Sequence, residues 1–119
     1  MRTILALSAC GLVAVSVVVA FGAASAGTAR PDPAAGNVQS ALCATCHGAE
    51  GISVATNVPN LAGQHYEYLI RQLLAFKSGT RKDGVMNEMV RGMSLAELRN
   101  IAAYYATVKV TVDTGKARK

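Results

Sequence analysis

"CATCHG", residues 43–48, decides how the rest of the chain reads. Cys43 and Cys46 stand three positions apart and His47 follows the second cysteine, so two thiols and an imidazole share five residues. Three chemistries use such a cluster: a redox dithiol, a zinc site, or a haem attached covalently through both sulfurs. A dithiol of the thioredoxin kind sits at the end of a strand in a βαβ context, and no stretch of this chain alternates like a strand. Structural zinc takes four ligands, usually as two separated pairs. Beyond the leader only Cys43, Cys46, His47 and His65 qualify, with Cys46 and His47 adjacent and His65 alone. Covalent haem explains the spacing: on a helical turn both sulfurs face one porphyrin edge, where they add to its vinyl groups, and His47 is placed to bind the iron.

Working outward, 119 residues leave room for one small domain at most. Arg2, a charge-free run over residues 3–24 and the small residues Ala24-Ser25-Ala26 read as an export signal over residues 1–26. Left uncleaved, the same run is long enough to anchor the chain in a bilayer. Leu7-Ser8-Ala9-Cys10 resembles a lipoprotein processing site, although Cys10 comes early in the apolar run instead of at its end. The segment inflates the 51% hydrophobic content, which therefore does not mark a membrane protein. Its removal takes away Arg2 and no acid, so the formal charge falls from +5 to +4. That balance suits an acidic partner, whereas scattered basic residues in an exported chain make no nucleic-acid footprint. One cysteine pair is also too few for a small secreted domain stapled by disulfides.

Residues 27–35, "GTARPDPAA", read as a flexible segment ahead of the folded domain, residues 36–109. A first helix is expected from about Ala34 to Cys46, with Gly48 as a left-handed stop. Residues 48–63 form a long Gly-, Asn- and Pro-punctuated loop, the kind that usually serves function. A second helix over Gln64–Ser78 places Tyr66, Leu69, Ile70, Leu73 and Phe76 on one face, and Gly79 closes it. "TRKDGVMNEMVRGM", residues 80–93, reads as polar and irregular. Ser94-Leu95-Ala96-Glu97 is a capping box that opens a last helix with a buried stripe of Leu98, Ile101, Ala102 and Tyr105, ending near Val108 before a basic tail over 110–119. The expected fold is all-α, with three main helices and long loops whose apolar core is small enough to need a bound group at its centre.

The run from "CATCHGAEG" through "VPNLAGQHYEYLIRQLLAFKSGTR" to "MNEMVRGMSLAELRNIAAYYATVK" resembles a class I c-type cytochrome, similar to one haem domain of the bacterial cytochrome c4 and c553 group, over residues 34–109. The resemblance implies the class I cytochrome c fold around one haem c held by Cys43 and Cys46, with His47 on the iron. The second axial candidates are Met86, Met89 and Met93, with His65 as an outsider. Position in the loop before Ser94 implies Met86 as the ligand and Met89 as a methionine that packs nearby; Met93 reads as a cap-side contact and His65 as exposed. It further implies that the Pro59 carbonyl accepts a hydrogen bond from His47, that Leu61 packs on the haem, and that Gly36 lets the first helix cross the last closely, over Tyr104 or Tyr105.

The function implied is that of an exported, periplasmic, monomeric carrier of one electron between redox proteins with acidic docking surfaces, attached to the inner membrane if the leader stays. Arg71, Lys77, Arg81, Lys82, Arg91 and Arg99 read as solvated charges whose joint effect is faster association. No nucleophile-base or paired-carboxylate constellation marks an enzyme. Two alternatives remain at this point: a haem subunit dedicated to one periplasmic dehydrogenase, and a haem ligand sensor with an open sixth site.

Overall fold

The computed structural model describes residues 29–112, so the expected export signal, Cys10 and residues 113–119 of the tail lie outside the described residues. Five helices follow in order: α1 (Pro33–Gln39), α2 (Ala41–His47), α3 (Tyr66–Ser78), α4 (Gly84–Arg91) and α5 (Leu95–Thr107). Among the described residues there is no strand.

The first expected helix is two. It opens at Pro33, inside the segment read as flexible, because the Asp32 carboxylate accepts the Ala34 amide and proline needs no amide partner in a first turn. It bends at Ser40, whose hydroxyl donates to the Asn37 carbonyl at 2.8 Å and competes with the helical ladder there. The ladder resumes at once, since the Ala44 amide reaches the Ser40 carbonyl, and α2 stops at Gly48.

The second expected helix is α3, starting two residues late with His65 as its N-cap. The stretch over residues 80–93 is not irregular throughout: α4 lies within it. Asp83 and Gly84 look like a turn in isolation, yet the Asp83 carboxylate accepts the Val85 and Met86 amides and starts a helix with Met86, Met89 and Val90 on one face. The last helix matches its expectation: Ser94 Oγ takes the Glu97 amide, the Glu97 carboxylate takes the Ser94 amide, and α5 runs to Thr107.

The core joins Leu69, Ile70 and Phe76 of α3, Val90 of α4, and Leu98, Ile101, Ala102 and Tyr105 of α5. The buried residues of α5 are those its stripe predicted. Near the other end of the described chain, α1 crosses α5 so closely that a Cβ on Gly36 would lie 2.0 Å from the Asn100 carbonyl oxygen and 2.9 Å from Tyr104 Cβ. Tyr104 is therefore the crossing partner. Tyr105 instead packs on the long loop, where a Cβ on Gly51 would lie 2.7 Å from its ring; Gly51 also holds a φ of +80° that favours glycine. Gly51 thus ties the long loop beneath α5, and its carbonyl accepts the amides of Leu61 and Ala62.

Candidate functional site

Helix α2, the 48–65 loop, α3, α4 and α5 enclose a cavity of about 360 Å³. Such a volume falls in the range of small-molecule and cofactor sites. Cys43, Cys46 and His47 line it from α2, Pro59 and Leu61 from the loop, and Met86, Met89 and Met93 from α4 and the turn beyond it. Every residue assigned to the site from the sequence is thus brought to one cavity, and Met89 and Met93 join them. His65 is exposed at the start of α3 and does not line it.

His47 is buried, and its Nδ1 lies 2.8 Å from the Pro59 carbonyl oxygen. A carbonyl only accepts, so Nδ1 carries the hydrogen and Nε2 keeps its lone pair for a metal. The acceptor is fixed by a bonded loop: Leu61 and Ala62 donate to Gly51, Ser53 donates to Asn60 Oδ1, and Gly63 donates to the Tyr105 carbonyl.

Cys43 and Cys46 are both free, one half-buried and one exposed, and their i, i+3 spacing puts them on one face of α2. Burial pushes the Cys43 thiol up, against a smaller opposing effect of its main-chain hydrogen bond. Burial likewise raises Tyr105, which lines the cavity, and a smaller opposing effect comes from the Ser40 hydroxyl beside it.

Of the basic residues, Arg81 lines the cavity, with its guanidinium 4.4 Å from the Phe76 ring centre and bonded to Gln72. Lys77 instead turns to the end of α4, and Arg91 pairs with Glu88 on the surface.

The donor set fits haem better than the rivals. Among the described residues no three His, Cys, Asp or Glu side chains gather as a metal cluster, and no strand leads into the cysteines. Two thiols on one helix face, an imidazole with its distal nitrogen oriented by a carbonyl, soft thioethers and an apolar enclosure suit an iron porphyrin held at one edge.

A helical shell built round such a pocket defines a protein of the covalent-haem class. The family model described as cytochrome c matches residues 33–109, and the chain belongs to that family, as a class I c-type cytochrome of the c4 group with a covalently bound, iron-containing haem c. It is 40% identical to cytochrome c4 of Pseudomonas aeruginosa over 98 residues, 82% of this chain and 49% of that protein. It is 42% identical to the thiosulfate dehydrogenase electron acceptor of Stutzerimonas stutzeri over 69 residues, 56% of this chain and 32% of that one. The crystal structure of reduced recombinant cytochrome c4 from Pseudomonas stutzeri superposes with a TM-score of 0.65 at 38% identity, covering 69% of this chain and 48% of that one. The chain spans about half the length of the cytochrome c4 sequences it matches.

Two features escaped the sequence reading: helix α4 and the side chain of Asn87, which binds three backbone groups around it. The spacing of Met86, Met89 and Val90 behind Asp83 was the available signal for α4. No local pattern announces Asn87.

Proposed function

We propose that this chain is an exported single-haem carrier that passes one electron between periplasmic redox proteins and catalyses no reaction by itself. The observation that carries this is the 2.8 Å contact between His47 Nδ1 and the Pro59 carbonyl, which leaves Nε2 as an oriented ligand facing an apolar cavity also lined by thioethers. Bound haem supplies a one-electron couple between ferrous and ferric iron, with no substrate needed at the metal.

In this reading Cys43 and Cys46 would hold the group through thioethers, His47 and Met86 would ligate its iron, and Pro59 would set the orientation and basicity of His47. Leu61 and the α5 stripe exclude water from the site. A sulfur ligand favours the reduced state and closes the sixth position to small ligands. The formal charge, +4 once residues 1–26 are removed, supports association with acidic docking surfaces, the chain acting as a monomer. The charge-free run over residues 3–24 supports export to the periplasm, or an inner-membrane anchor there if it is retained.

The likeness to a thiosulfate dehydrogenase electron acceptor favours a second reading, a haem subunit fixed to one dehydrogenase. Size-exclusion chromatography of native extract separates the two: a free carrier elutes alone, and a subunit elutes in a stoichiometric complex. For the site, the ferric protein should show the weak red sulfur-to-iron band, the Met86→Ala variant should lose it, and Met89→Ala should keep it. The reduced protein should refuse carbon monoxide; ready binding at neutral pH would replace the carrier with a ligand sensor.

A further inference from the structure

Met86 sits in the first turn of a helix only eight residues long, Gly84–Arg91, preceded by the glycine- and charge-rich turn after α3. Intrinsic helical stability in so short a segment is slight, so its position depends on tertiary ties. The structure supplies them through the next residue. Asn87 Nδ2 donates to the Phe76 carbonyl at 2.6 Å and to the Arg81 carbonyl at 2.9 Å, while its Oδ1 accepts the Asp83 amide at 2.8 Å. The side chain has two amide hydrogens and one oxygen, and all three polar atoms are engaged.

The groups it joins belong to three segments: the C-terminal turn of α3, the turn after it, and the N-cap of α4. Asp83 in turn accepts the Met86 amide at 2.9 Å, so the Met86 backbone is one residue from the fixed amide and directly bonded to the residue that Asn87 holds. A second tie lies at the far end of the helix, where Lys77 Nζ donates to the Arg91 carbonyl at 2.7 Å. The two ties differ in place. Asn87 secures the turn carrying Met86, and Lys77 secures the end beyond Met89 and Val90.

We propose that Asn87 is a positioning residue that keeps the Met86 thioether on the haem iron by fixing the first turn of α4 against the end of α3. This rests on the reading of Met86 as the sixth ligand. Asn87 does not line the cavity; it acts by making withdrawal of Met86 cost the three hydrogen bonds that withdrawal would break. Without it, a ligand from solution competes more easily for the site that Met86 vacates.

The test uses the ferric holoprotein and imidazole, which must displace the methionine to bind. Wild type, Asn87→Ala, Asn87→Asp and Lys77→Met are titrated while the red sulfur-to-iron band is followed, and thermal unfolding is measured in parallel. Asn87→Ala should bind imidazole at least tenfold more tightly, a shift of about 1.4 kcal/mol. Asn87→Asp keeps the acceptor for the Asp83 amide but turns a carboxylate oxygen toward the two carbonyls, so it too should bind imidazole at least tenfold more tightly, and it serves alone if the alanine variant does not fold. Lys77→Met should lower the unfolding temperature with imidazole affinity within twofold of wild type. An Asn87 variant that unfolds earlier yet binds imidazole as wild type does would overturn the proposal and leave Asn87 a merely structural residue. Failure of the Met86 reading has a separate signature: the band would survive Met86→Ala and vanish in Met89→Ala, whatever the Asn87 variants do.

Discussion

Replacing Gly36 by alanine should destabilise the folded protein although it improves the local helix. The new Cβ would stand 2.0 Å from the Asn100 carbonyl oxygen and 2.5 Å from its carbon, against the 3.4 Å at which ordinary contact begins. Helix α1 therefore has to withdraw from α5 by the difference, about 1.4 Å, and the obstacle is backbone that no rotamer change can move. Sideways escape is opposed by the Asp32 amide, which donates to Asn100 Oδ1 at 2.8 Å. Overpacking of this kind costs about 1–3 kcal/mol, and a clash with main chain belongs at or above the upper end. Alanine returns about 1 kcal/mol of helix propensity, which leaves a net loss of about 2 kcal/mol. For a domain of this size that lowers the unfolding temperature by about 8–16 °C. The assay is thermal unfolding of the holoprotein followed by far-UV circular dichroism, with Gly92→Ala as control. A Cβ on Gly92 meets nothing within 4 Å and its φ of −82° is helical, so the control should match wild type. An unfolding temperature for Gly36→Ala within about 2 °C of wild type would refute the close-crossing account.

Three further predictions follow from other parts of the molecule. Hydrogen bonds from the Ser94 backbone and hydroxyl hold the Glu97 carboxyl below its ordinary value of 4.5, so the capping box contributes stability above that pH and loses it as pH falls through the lowered value. The gap in unfolding temperature between wild type and Glu97→Gln should then be steady from pH 7 to about pH 5 and narrow below it; a gap that widens in acid contradicts the linkage. Tyr105→Phe removes a buried hydroxyl that lies beside Ser40 and lines the cavity, so holoprotein stability should fall by about 1 kcal/mol in denaturant titration, and an unchanged or raised stability would show that the hydroxyl gains nothing from its surroundings. The chain expressed without haem, or as the Cys43→Ala, Cys46→Ala double variant, should lose most of its helical circular dichroism, because a cavity of about 360 Å³ would stand at the centre of a small core; a native-like spectrum and cooperative melt would show that the polypeptide packs unaided.

Local rules were enough wherever one segment determined its own structure. The capping box at Ser94 and the spacing of Leu98, Ile101, Ala102 and Tyr105 fix α5 through bonds and burial within one helix. The cysteine pair with its histidine was legible for the same reason, since covalent attachment imposes a spacing in sequence. Helix α4 was not, because Gly84 and Gly92 signal turns, and only the Asp83 cap and the ties to α3 outweigh them. The bond from His47 to Pro59 became readable through family resemblance; the two stand twelve positions apart across the loop, and nothing in its composition specifies the approach. Periodicity could not separate Tyr104 from Tyr105 as the neighbour of Gly36, since adjacent helix positions both face protein here. The tertiary structure assigns one tyrosine to each of two glycines.

The bond from the Asp32 amide to Asn100 spans 68 positions of sequence. The seam it closes cannot form until the C-terminal helix has been synthesised, so a chain cut short of Asn100 lacks the surface against which α1 packs.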